Sequence, residues 1–122
     1  MYIIRKEFHF SASHTLKGLP ASHPCSRLHG HNYVVTVELR SYKLNHIGFV
    51  KDYRELAQIK EWIDEKLDHR DLNEVFDFNP TAENIAKYLF DLIIDWNDFD
   101  EAAIYAVEVK ETDKTSARYE IS

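Results

Sequence analysis

Alternation of apolar and polar side chains dominates both ends of the chain. In YIIRKEFHFSASH, residues 2–14, Ile4, Phe8, Phe10 and Ala12 share one side while Arg5, Glu7, His9 and Ser11 share the other. This period of two marks a half-buried strand. HNYVVTVELRSY, residues 31–42, repeats it with Tyr33, Val35, Val37 and Leu39. The middle of the chain changes period. DYRELAQIKEWIDEKL, residues 52–67, opens with Asp52 and Glu55 at capping-box spacing and carries Leu56, Ile59, Ile63 and Leu67 at helical intervals. A second helix is predicted in NPTAENIAKYLFDLIIDW, residues 79–96, capped by Thr81 and striped by Ile85, Leu89, Leu92 and Ile93. AIYAVEVKET and ARYEIS then read as two strands joined by the polar turn DKTS.

The order strand, strand, helix, helix, strand, strand predicts an α+β fold: a four-stranded antiparallel sheet with two helices on one face. The other face is expected to carry Val34, Val107 and Val109 among polar neighbours. With two open sheet edges as well, such a chain is expected to associate with copies of itself.

Length and composition narrow the class without changing this picture. The 122 residues suit a single domain spanning 1–122, and few glycines and prolines, no repeat and no linker interrupt it. At 44% hydrophobic and 30% charged residues, with no apolar run near the ~20 residues of a membrane span, a soluble protein off the membrane is expected. The opening residues meet charge at once, unlike a secretory leader. A lone cysteine excludes an internal disulfide framework and suits a reducing compartment, so a cytoplasmic location is expected. The net charge of -6 argues against a nucleic-acid partner, whose affinity rests on phosphate neutralisation.

The candidate chemistry sits in CSRLHGH, residues 25–31, together with His14. His29 and His31 are two apart at the entrance to a strand, so their side chains project to one side. Antiparallel pairing of the first two strands brings His14 alongside. Three neutral imidazoles with a fourth position open is the ligand set of a catalytic zinc, whereas a structural zinc takes four protein ligands. Cys25 is compatible with either: as fourth ligand it closes the site, and as a free thiol it stands beside an open one. His9, His23 and His46 read as ordinary surface or core histidines.

FSASH, CSRLHGHNY, LDHRDLN, NPTAEN and VKETDKTSARY occur in an order and spacing that resemble the 6-pyruvoyl-tetrahydropterin and 6-carboxy-tetrahydropterin synthase family, over nearly the whole chain. The resemblance implies the tunnelling fold, with zinc (Zn2+) held by His14, His29 and His31 and Cys25 as the proton-abstracting base. It makes Asp68 and His69 a proton relay, although by themselves they read as a solvated helix end. Glu111 matches the family's active-site glutamate, associated with pterin recognition and the relay, and Glu83 is implied as a second contact to the ring. By themselves the two read as an exposed strand carboxylate and a first-turn helix acid.

The three-residue gap between Cys25 and His29 is similar to the 6-carboxy branch, which serves queuosine (7-deazaguanine) biosynthesis. The pyruvoyl branch has a longer gap. FVKDY departs slightly from the pattern of both branches. The implied activity is that of a lyase acting on the pterin triphosphate dihydroneopterin triphosphate. The implied assembly is a homohexamer, a dimer of trimers with active sites between subunits.

Overall fold

The computed structural model describes residues 1–96 and 102–122. Strand β1 (Tyr2–His14) and strand β2 (His29–Ser41) pair antiparallel over their full length, from Tyr2 opposite Ser41 to His14 opposite His29. A 3-10 turn at Tyr53–Leu56 leads into helix α1 (Ala57–Lys66), and helix α3 (Ala82–Trp96) follows later. Strands β4 (Ala103–Thr112) and β5 (Thr115–Glu120) form the closing hairpin.

The expected four-stranded antiparallel sheet requires correction. A fifth strand, β3 (Arg70–Asp71), pairs parallel to Ala12 and Ser13 of β1, and a one-turn helix α2 (Leu72–Val75) follows it. The sheet is therefore mixed, with order β3-β1-β2-β4-β5, and the described helices number three. Two residues carry no readable alternation, and β3 can lie parallel to β1 because α1 supplies the crossover such a pairing needs.

The helices pack on the face built by Phe8, Phe10, Tyr33, Val35, Val37 and Leu39, all buried. Leu56, Ile59, Ile63 and Leu67 bury the predicted stripe of the first helical segment, and Ile85, Leu89 and Ile93 most of that of α3, where Leu92 is only partly buried. Asp52 accepts from Arg54 N–H and caps the 3-10 turn rather than α1 itself, while Glu55 pairs with Lys51 at 3.2 Å. Thr81 Oγ1 accepts the Asn84 N–H at 3.2 Å at the start of α3.

Val107 and Val109 lie on the opposite face from the one expected. They sit across from Val37 and Val35 and are fully buried in the core under the helices. Side chains directly opposite in a ladder share a face, so the register fixes this where sequence spacing alone did not. The open face is polar. At its centre Glu38, only 4% exposed, bonds Arg118 and takes a longer contact from Arg5 at 3.4 Å.

Candidate active site

The period-two geometry of β1 and β2 builds the histidine cluster. His14 and His29 are cross-strand partners, and His31 is two residues along β2 on the same face. One ring nitrogen from each lies within 4.8 Å of the others. His14 is fully buried and the other two are half-buried.

Hydrogen bonds decide which nitrogens are free. His14 Nδ1 lies 2.8 Å from the Pro80 carbonyl and His29 Nδ1 lies 2.7 Å from the Arg27 carbonyl. A carbonyl can only accept, so each Nδ1 carries the hydrogen and each neutral ring keeps a bare Nε2. Those two Nε2 atoms face each other at 3.0 Å. Two lone pairs at that distance repel unless a cation lies between them, and a carbonyl behind each ring is the usual support of a metal-bound imidazole. The donor set therefore fits a divalent metal of zinc type.

Burial lowers the pKa of His31, opposed by Glu111 and reinforced by the two neighbouring histidines, which favours the neutral form able to ligate. Tyr33 backs the cluster. Its hydroxyl lies 3.3 Å from His14 Nδ1, and its ring stacks on Phe10 with centroids 4.6 Å apart. Burial first, and the Glu111 charge second, hold its proton well above the ordinary phenol range.

Glu111 lies on the cluster's face of β4, two residues beyond Val109, which pairs with Val35 on the face shared by Tyr33 and His31. The β4–β5 ladder pairs Lys110 with Ser116 and Thr112 with Thr115, leaving Glu111 at a bulge. Glu111 Oε2 sits 3.9 Å from His31 Nε2. Glu111 and Glu83 both line one depression with Thr115, Ser116 and Arg118. Two sequence-predicted carboxylates from distant segments are thus brought together.

His31 and His69 border a second depression of about 440 Å³, with Ser11, Ser13, Asn32 and Asp71. His69 has φ 59°, a left-handed conformation uncommon for a residue with a side chain. Its N–H bonds Ser11 O at 2.7 Å and its Nδ1 lies 2.9 Å from Asp68 Oδ2, while the ring is 83% exposed. Asp68 Oδ1 accepts the Ser11 N–H at 2.9 Å. That bond, ahead of the His69 contacts and against the cost of burial, holds the Asp68 carboxyl below its ordinary range.

Cys25 lies in the 3-10 turn Pro24–Ser26, half-buried, with its N–H bonded to His23 Nδ1 at 3.1 Å. It is not in the three-histidine group. His9, His23 and His46 are exposed. Pro80, Tyr33, Thr115 and Ser116 were missed as site residues. A backbone carbonyl has no sequence signal, and Tyr33 reads first as a core residue.

These features define an α+β protein whose sheet carries an open three-imidazole cluster with carboxylates on its rim. The chain belongs to the 6-pyruvoyl tetrahydropterin synthase family, which it matches over residues 3–122. It is 35% identical to the 6-carboxy-5,6,7,8-tetrahydropterin synthase of Synechocystis sp. across 98% of this chain and 93% of the relative. It is 40% identical to a putative 6-carboxy-5,6,7,8-tetrahydropterin synthase of Archaeoglobus fulgidus across 66% of each chain. Its fold superposes on the 6-pyruvoyl tetrahydropterin synthase of Caenorhabditis elegans with TM-score 0.84 and 28% identity, covering 99% of this chain and 96% of that one.

Proposed function

We propose that this protein is a zinc-dependent 6-carboxytetrahydropterin synthase serving queuosine biosynthesis. Dihydroneopterin triphosphate and water would yield 6-carboxytetrahydropterin, acetaldehyde and triphosphate. The observation that carries the reading is the pair of bare Nε2 atoms facing each other at 3.0 Å, with His31 completing the set. Curated relatives carry the names of both branches, and the three-residue gap from Cys25 to His29 together with the names of the two curated relatives given above favours the 6-carboxy branch.

His14, His29 and His31 would hold the zinc, leaving a fourth position open. Bound there, the metal supplies a Lewis acid that makes vicinal hydroxyls of the substrate side chain more acidic. Cys25, as a thiolate, takes a carbon-bound proton from that side chain. His69 carries protons at Nε2, since Asp68 occupies its Nδ1. Shifting protons in this way moves reducing equivalents from side chain to ring, so the reaction needs no external reductant. Glu111 accepts from the paired N–H groups of the pterin edge, and Glu83 lines the same depression.

A homohexamer is part of the reading. Among the described residues the outer edge of β5 has no partner strand, and β3 covers β1 at Ala12 and Ser13. The single cysteine supports a cytoplasmic setting. Incubating the zinc-loaded protein with dihydroneopterin triphosphate and identifying every product by mass tests the activity. Stoichiometric acetaldehyde with 6-carboxytetrahydropterin is expected. Accumulation of 6-pyruvoyltetrahydropterin without acetaldehyde assigns the chain to the other branch, and unchanged substrate overturns the reading.

A further inference from the structure

Beyond His14 the chain leaves the sheet but keeps its strand-like bonding, and the partners are side chains. Thr15 donates its N–H to Asn73 Oδ1 at 2.7 Å and accepts from Asn73 Nδ2 at 3.0 Å. Lys17 repeats the pattern with Asn79, at 3.0 Å in both directions. A primary amide has the donor and acceptor of a peptide group in one plane, so each asparagine stands in for a residue of a neighbouring strand. In an extended segment the intervening residue points its N–H the other way. Leu16 does so, and it donates to the carbonyl of Cys25 at 2.9 Å.

Both asparagines are themselves fixed. Asp71 Oδ1 accepts the Asn73 N–H at 3.1 Å at the start of α2, and Asn84 Nδ2 donates to the Asn79 carbonyl at 2.9 Å from the first turn of α3. The same connection supplies the Pro80 carbonyl that orients His14. The segment 71–84 is thus a clip closed over residues 14–17. One end of the clip sets a histidine of the cluster, and its grip on Thr15 and Lys17 sets the residue that holds Cys25.

We propose that Asn73 and Asn79 are positioning residues that place the Cys25 thiol relative to the histidine cluster, acting through Leu16. Their role in turnover rests on the reading of Cys25 as the base, whereas the clamp itself does not. A displacement of about 1 Å in a reacting group can cost on the order of a hundredfold in rate. The backbone bond at Leu16 transmits any slack in the clamp to Cys25.

Asn73→Leu, Asn79→Leu and the double variant test this in the full-length, zinc-loaded protein. Amide hydrogen exchange at Thr15, Leu16 and Lys17 should speed up by about tenfold or more. Alkylation of Cys25 by iodoacetamide should change in rate and in its pH profile. Bound zinc should stay at the parent level, and kcat should fall by roughly tenfold with KM within about twofold, the pattern of a misplaced base rather than lost binding. Asn79→Asp keeps the acceptor for Lys17 N–H and replaces the donor with a carboxylate oxygen facing the Lys17 carbonyl, so it applies the same readouts should a leucine variant fail to fold. Unchanged amide exchange, or unchanged Cys25 alkylation and kcat, overturns the proposal. Cys25→Ala separates the two claims. Undiminished turnover in that variant removes Cys25 as the base, while the exchange and alkylation measurements on the asparagine variants judge the clamp independently.

Discussion

At the scale of single residues, the histidines were legible because the chemistry coincides with the simplest sheet rule. Residues two apart on a strand share a side, and His14 lies opposite His29 once the first two strands pair. Glu111 was legible only as part of a motif, since its approach to His31 depends on the long-range register of β4 against β2. The proposed ligand set predicts that His29→Ala loses its zinc by elemental analysis, whereas Cys25→Ala keeps it and loses turnover by about a hundredfold or more. Zinc retained by the first variant removes His29 from the set. Asp68 provides a test by pH. Held below its ordinary range by the Ser11 N–H, its carboxylate stabilises the fold fully above the unfolded value of about 4, and that contribution is lost as pH falls through the folded value. Asp68→Asn should therefore unfold at lower urea than the parent at pH 7, with the gap closing below about pH 4. A gap that stays constant down to pH 2 contradicts the assignment.

At the scale of elements, long periodic segments read correctly and short ones did not. The two long strands, the helix ending in α1 and the α3 stripe bury most of the residues their periods select, with Ile4 and Leu92 only partly buried. Strand β3 and helix α2 are too short to carry a period, and both exist because tertiary partners stabilise them: Ala12 and Ser13 for β3, and the cap from Asp71 for α2. The faces of Val107 and Val109 depended on the register of β4 against β2, which is a long-range property. Ile63, 1% exposed, anchors α1 to the core. Ile63→Ala should lower unfolding free energy by about 3 kcal/mol, within the range for a buried isoleucine, as measured by urea denaturation. A loss below about 1 kcal/mol indicates that α1 contributes little to the core.

At the scale of the whole molecule, the sheet buries one face and leaves the other polar, with Glu38 and two arginines at its centre. The open edges and the apolar Tyr2 and Ile3 at the start of β1 motivate the proposed hexamer. Light scattering at micromolar protein should give a six-chain mass, and a monomer mass contradicts that assembly. The family relationship extends over residues 3–122, so fold and motifs point the same way along nearly the whole chain. The central claim is an open metal site of three imidazoles with the thiol beside it and not on it. X-ray absorption at the zinc edge of the loaded protein measures this directly. The account predicts a shell of nitrogen and oxygen neighbours at about 2.0–2.1 Å, and a sulfur neighbour at about 2.3 Å would contradict it.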